Sequence, residues 1–310
     1  QAEVRLLINS VAGCLGLALL LVTLVAVLAA PLLVWVFAPG FAADPAKQAL
    51  TADLLRLTFP YLLLISLTAF ASGILNTWGR FALPAVTPVL LNLSLIGSAF
   101  WLTPLLPTAA HALAWGVVIA GVLQLGVQLP ALGNLGLLPL PKPNWEHEGV
   151  KKILKLMAPA IFGVSVSQIN LLLDTVLASF LADGSVGWLY YSDRLVELPL
   201  GVFGVALATV VLPSLSKGYA AEDTSKFSGL LNWALRWVLL IGLPATLGLV
   251  FLAQPLLITL FHYGAMTSQD ILMSSKSLQA YALGLLAFML IKVLAPGYFA
   301  RQDTATPVKI

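Results

Sequence analysis

The chain has a single cysteine, Cys14, among 310 residues, and so holds no disulfide framework of its own. Cys14 sits in an apolar run and is expected to pack as a small hydrophobe. Charge is also scarce: Asp, Glu, Lys and Arg make up 9% of the residues, against about a quarter in a soluble domain. Too few charges exist to cover a water-facing surface of this size, and 60% of the residues are hydrophobic. The bilayer is therefore the expected solvent for most of the surface. The net charge of +3 is spread among loops rather than gathered on one face, which excludes nucleic acid as a partner. The sequence lacks a glycine-rich phosphate loop, paired metal ligands at a useful spacing and a nucleophile elbow. No enzyme chemistry and no cofactor is expected, and His147 lacks the spacing of a metal site.

What the chain has is long apolar runs. A hydrocarbon core of roughly 30 Å needs about 20 apolar helical residues. Eight such segments are present, at 6–37, 48–77, 84–103, 109–130, 150–181, 185–213, 226–262 and 271–297. Ala38-Pro39-Gly40, Ala182-Asp183-Gly184 and Tyr263-Gly264 punctuate them, while Pro60, Pro159, Pro199 and Pro244 predict kinks inside them. Loop charges then orient the bundle. Arg5, Arg80, Lys142, Lys151, Lys152, Lys155, Lys217, Lys226, Arg301 and Lys309 fall on one side, and Lys47 and Lys276 on the other. The first side is read as cytoplasmic. The polar stretch from Pro139 to Lys155 lies there, as a connector leading into an interfacial helix.

Residues 28–37 (LAAPLLVWVF) recur as 252–261 (LAQPLLITLF), and Gly40 recurs at the same separation as Gly264. Thr87-Pro88-Val89 recurs as Thr306-Pro307-Val308. The first and seventh spans then correspond and cross in the same direction, which predicts parallel six-helix repeats about an axis along the membrane normal. In that register Gln1 aligns with Ser225, so two helices are expected before Gln1 and at least two after Ile310. The expected organisation is four spans in 1–138, a cytoplasmic connector at 139–149, and four more spans in 150–310.

Ionisable groups deep in a bilayer are costly, and each is a functional candidate. The sixth span carries Asp193, Arg194 and Glu197 within about one turn, on one broad face. Arg194 sits about 14 Å below the outer helix end. These three residues predict either a cavity wall or an ion pair that fixes packing. The fifth span carries Ser165, Ser167, Gln168, Asn170 and Asp174. Asp174 lies at a similar depth to Arg194, and the short loop between the spans brings a pairing of the two within reach. Interhelical hydrogen-bond glue is the other reading of this face. Asp53 and Arg56 have i, i+3 spacing and are expected to pair, while Arg56 and Lys292 lie close enough to helix ends to snorkel. Trp35, Trp78, Trp101, Trp188 and Tyr298 suit aromatic belts at the interfaces.

Tyr190-Tyr-Ser-Asp-Arg-Leu-Val-Glu-Leu-Pro199 resembles the MviN family of lipid II flippases, within the MATE-like multidrug/oligosaccharide/polysaccharide exporter superfamily. Thr58-Phe-Pro-Tyr61, Gly73-Ile-Leu-Asn-Thr-Trp78, Gly163-Val-Ser-Val-Ser-Gln168, Leu212-Pro-Ser-Leu-Ser216, Lys292-Val-Leu-Ala-Pro-Gly297 and Arg301-Gln-Asp303 agree, so the resemblance covers essentially the whole chain.

The resemblance implies an all-α, polytopic transmembrane bundle of fourteen helices in two lobes, of which this chain holds helices three to ten. It implies a multi-pass protein of the bacterial inner membrane. Such a protein would flip undecaprenyl-linked peptidoglycan precursor to the periplasmic leaflet by alternating access, in support of cell-wall synthesis. The expected partners are that precursor, membrane lipids and the cell-wall synthesis machinery. In the family the arginine and glutamate of the Asp-Arg-x-x-Glu stretch line a cationic cavity. They carry over to Arg194 and Glu197, with Asp193 beside them and Gln168 and Asp174 on the neighbouring span. Asp174 departs from the amide that the family carries there. A MATE-type antiporter for organic cations is the alternative, but it calls for an acid-dominated cavity. A scaffold for cell-wall enzymes is a third reading, and it leaves the mid-depth charges unexplained.

Overall fold

A computed structural model of the chain describes residues 2–205 and 224–299. Leu212–Ser216, Lys217, Arg301–Asp303, Thr306–Val308 and Lys309 lie outside the described residues, as do the side chains of Ser167 and Asn170. Every regular element in the described residues is helical. In order these are α1 (Ala2–Leu28), α2 (Ala30–Phe37), α3 (Pro45–Thr58), α4 (Pro60–Thr77), α5 (Ala82–Trp101) and α6 (Ala109–Asn134). They are followed by α7 (Glu148–Ser179), α8 (Ser185–Pro199), α9 (Thr224–Phe251), α10 (Ala253–Phe261) and α11 (Ser268–Phe299).

Local chemistry accounts for where these helices begin. Asp44 caps α3: its Oδ1 accepts from the backbone N–H groups of Ala46 and Lys47 at 3.0 and 3.2 Å, with Pro45 in the first helical position. Thr108 caps α6 and His147 caps α7, where its Nδ1 accepts from the Gly149 N–H at 3.1 Å. Proline acts unevenly. At Pro60, where a kink is expected, the hydrogen-bond ladder is interrupted between α3 and α4, but Phe59 keeps helical angles (φ −56°, ψ −36°) and the two run on as one segment. Pro244 is carried inside a continuous α9. After Pro199 the chain widens into a π-helical segment, Leu200–Val205.

The repeat seen in the sequence has a local structural counterpart. Helix α1 breaks at Ala29 and resumes as α2; α9 breaks at Leu252 and resumes as α10. The two break residues have nearly the same backbone angles, φ −87°, ψ 10° and φ −100°, ψ 12°. The short helices end at Phe37 and Phe261, the matched phenylalanines. Burial is offset by one residue from the sequence register: Ala30 and Val34 are buried in α2, Ala253 and Leu257 in α10.

Among the described residues six helical segments are long and apolar enough to cross a membrane: Glu3–Leu28, Pro45–Thr77, Ala82–Trp101, Ala109–Asn134, Ser225–Phe251 and Ser268–Ala295. Each overlaps one of the eight expected spans. The other two expected spans contain α7 and α8. Large apolar side chains such as Phe100, Trp101, Leu28 and Phe251 are exposed, as lipid-facing residues would be. Among the fully buried positions, alongside large residues such as Leu75, Leu132 and Met289, are small ones: Ala112, Ala120, Ala234, Ala253 and Ala282. Small residues let helix backbones approach closely where no hydrophobic gradient drives them together.

The chain divides into two compact units, Gln1–Phe180 and Leu181–Ile310. In the first, Ala71, Ile74, Leu75 and Leu132 form a core between α4 and α6. Helix α7 is fastened within this unit at its C-terminal end, where the Gly40 N–H donates to Ser179 Oγ at 3.0 Å. The connector is tied to α1: the Leu140 N–H donates to Asn9 Oδ1 at 2.8 Å and the Lys142 N–H to the Asn9 carbonyl at 3.1 Å. In the second unit Ala234, Val238, Leu257, Leu278, Ala282, Leu285 and Met289 form the core between α9, α10 and α11. Helix α8 packs along α11, with Val196 joining that core.

Candidate functional site

Helix α8 starts at Gly184, whose φ of +99° is open to glycine without strain. From there the helix is divided into two faces. Ser185, Ser192, Val196 and Pro199 are buried against the second unit. Tyr190, Arg194, Glu197 and Leu198 are exposed on the opposite side. The helical period produces this split: Arg194 lies two residues beyond Ser192, about 200° around the axis.

On the exposed face the sequence-predicted charges come together. Arg194 Nη1 lies 2.6 Å from Glu197 Oε2, in the i, i+3 relation. The guanidinium also sits 4.9 Å from the centroid of the Tyr190 ring, a cation–π contact. Tyr190 in turn meets Tyr191 edge-on at 5.9 Å, and Tyr191 packs on Phe261 at 4.9 Å. The arginine is thus held from both sides while over half of its side chain stays open (54%), as does that of Glu197 (52%). Asp193 is half-buried at the edge of this face. A planar guanidinium, steered by one carboxylate and one ring with its other N–H groups outward, is suited to forked contact with phosphate oxygens. Glu197 can hold the fork in place or release it when an anion competes.

The other two predicted site residues are on α7, in the first unit. Gln168 and Asp174 are both exposed. They lie six residues apart, about 240° around the helix, so they occupy different faces of α7. Asp53 and Arg56 pair as expected, with Arg56 Nη1 2.8 Å from Asp53 Oδ1.

Two arrangements were not singled out from the sequence. The first is a buried polar cluster joining α4, α5 and α6. Gln124 and Gln128, one turn apart on α6, are almost wholly inaccessible. Gln128 Nε2 donates to Ser72 Oγ at 2.9 Å and Thr87 Oγ1 at 3.0 Å; Gln124 Nε2 donates to the Thr87 carbonyl at 3.0 Å. The Tyr61 hydroxyl completes the set by donating to Gln124 Oε1 at 3.2 Å. Two glutamines at i, i+4 in an apolar helix were the available signal.

The second arrangement is a polar seam between α8 and α11. Trp188 Nε1 donates to Asp270 Oδ1 at 2.8 Å. Trp188 was read as a belt residue, but its indole has this specific partner. Asp270 Oδ2 accepts from the Thr267 backbone N–H at 2.8 Å and the Thr267 hydroxyl at 2.6 Å, while its own N–H faces Thr267 Oγ1 at 3.2 Å. This is a capping box at the start of α11. One turn further along, the Ser192 hydroxyl is shared between the carbonyls of Trp188 and Ser274, at 2.8 and 2.9 Å.

Comparison with known proteins gives a consistent result. The family described as Lipid II flippase MurJ matches residues 1–310. A probable lipid II flippase MurJ from Haemophilus influenzae is 46% identical over 321 aligned positions, covering 99% of this chain and 63% of that protein. One from Vibrio cholerae is 48% identical, covering 99% of this chain and 60% of that protein. The lipid II flippase MurJ of Burkholderia cenocepacia is 43% identical over the same share of each chain. A solved structure of lipid II flippase MurJ in an inward closed conformation superposes with a TM-score of 0.84 at 30% identity, covering 99% of this chain and 63% of that one. The chain thus spans 60–63% of the length of these curated relatives.

Proposed function

Because the chain belongs to the MurJ family of lipid II flippases, we propose that it forms part of a transporter that moves lipid II from the cytoplasmic to the periplasmic leaflet of the bacterial inner membrane. The observation that carries this reading is the exposed face of α8. There Arg194 is oriented by Glu197 and Tyr190 with much of its surface open, at about 14 Å from the start of the helix. An arginine at that depth serves no snorkelling role and needs a polar partner. The diphosphate of an undecaprenyl-linked precursor supplies one. Asp193 borders the same face, and Gln168 and Asp174 are proposed as further cavity residues from their place on α7 alone.

The transporter would work by alternating access between two lobes. One holds 1–138, the other 150–310, with 139–149 as the cytoplasmic connector between them. In this reading α7 and α8 are the fifth and sixth of eight spans, within a fourteen-helix, MATE-like whole. Contact with the cell-wall synthesis machinery belongs to the same reading. The chain is read as a transporter and not as an enzyme. A MATE-type cation antiporter is disfavoured because the exposed mid-depth face of α8 is centred on an arginine.

Complementation separates these readings. The full-length protein should sustain growth of cells depleted of their own lipid II flippase, and its Arg194→Ala variant should not. Loss of rescue by the wild-type protein, combined with export of organic cations, would favour the antiporter.

A further inference from the structure

The α8–α11 seam has a regular register. Trp188 meets Asp270, Ser192 meets Ser274 one turn later, and Val196 and Leu278 share the core one turn beyond that. The pairs advance together, so the two helices run parallel, and the two polar rungs are about 6 Å apart along the axis. Two rungs fix both the axial register and the rotation of α8. The apolar part of this contact, centred on Val196, does neither, because packing between lipid-solvated helices has no hydrophobic gradient to resist rotation. An indole N–H is a single donor with one direction. The carboxylate that receives it is itself immobile, because its second oxygen is held by the Thr267 backbone and hydroxyl.

We propose that Asp270 is a positioning residue for the Arg194–Glu197 pair: through Trp188 it sets the rotation of α8 that turns Arg194 outward. The inference rests on the reading that Arg194 engages the diphosphate of lipid II. A slip of one residue turns the helix by about 100° and carries Arg194 toward the α11 side, where a charge would be buried among aliphatic side chains. Asp270 touches neither Arg194 nor Glu197. Its effect on them is transmitted by Trp188 and the helix between.

The test uses the full-length protein and two readouts, lipid II affinity and thermal melting. Trp188→Phe and Asp270→Ala each remove the rung and are expected to weaken lipid II binding about tenfold, the scale of a hydrogen bond to a charged group. Asp270→Asn keeps an acceptor for the indole and is expected to bind within about twofold of wild type, with the weakened cap of α11 appearing in the melt. In an Arg194→Ala background, Asp270→Ala is expected to change affinity by less than about twofold, because the group it positions is gone. Equal losses from Asp270→Ala in both backgrounds would overturn the proposal. Unchanged affinity in a folded Trp188→Phe protein would do the same, and this variant decides the matter if Asp270→Ala does not fold. If Arg194→Ala itself binds lipid II normally, the underlying reading fails separately, and the positioning role falls with it.

Discussion

Replacing Gln128 by leucine tests the buried cluster between α4, α5 and α6. Leucine keeps most of the volume at a position with no exposed surface and removes every polar contact. Three groups respond. Thr87 Oγ1 still donates to the Leu83 carbonyl at 2.9 Å, so it loses an acceptor role and is not orphaned. Ser72 Oγ, 2.9 Å from Nε2 and 3.1 Å from Oε1, loses its partner outright. Gln124 keeps both the Thr87 carbonyl and Tyr61. Three interhelical hydrogen bonds therefore disappear, two to Ser72 and one to Thr87. In membrane bundles such bonds average about 0.6 kcal/mol, so a loss of about 1–2 kcal/mol is expected. Gln128→Ala should cost more, about 2–5 kcal/mol, because a cavity is added to the same hydrogen-bond loss. Gln128→Glu should be worse than leucine, since a carboxylate there would be buried without a cation. Reversible unfolding in detergent micelles would rank the three. If leucine were as damaging as alanine, polar contact and not volume would dominate, and the assigned magnitudes would be wrong.

Two further outcomes follow from the packing. Gly40→Ala should destabilise the first unit, because a Cβ there would overlap the Ser179 carbonyl, and the backbone it meets cannot move aside cheaply; a lowered melting temperature, with Gly73→Ala as the unhindered control, checks this. Asp53→Asn should change stability by less than about 1 kcal/mol, since the Asp53–Arg56 pair is solvent- or headgroup-exposed on both sides, and a chemical denaturation curve measures it.

The sequence carried much of this structure because its signals were of a kind that survives in lipid. Long apolar runs predicted the six long helical segments, and the proline, phenylalanine and glycine shared by 28–40 and 252–264 predicted a repeat, but the breaks at Ala29 and Leu252 inside the first and seventh spans were not foreseen. The i, i+3 spacings of Asp53–Arg56 and Arg194–Glu197 predicted two ion pairs that form. The burial of Gln124 and Gln128 was not legible. Helix α6 is apolar all round, so its pattern does not say which side meets protein and which meets lipid. The role of Trp188 was hidden for a related reason: an interfacial tryptophan and one bonded to Asp270, 82 residues away, look alike in sequence. Whether Pro60 would bend or break its helix was also undecided by composition. The answer, an interrupted ladder with Phe59 still at helical angles, depends on what neighbouring helices do with the freed carbonyls.

The central claim is that the open guanidinium of Arg194 recognises the diphosphate of lipid II. Its most direct test is lipid II translocation by the purified full-length protein in vesicles, comparing wild type, Arg194→Lys and Arg194→Ala. The fork geometry predicts a graded loss: lysine, a point charge without a fork, should retain part of the rate, and alanine should lose at least about tenfold. Translocation by Arg194→Ala at the wild-type rate would contradict the account.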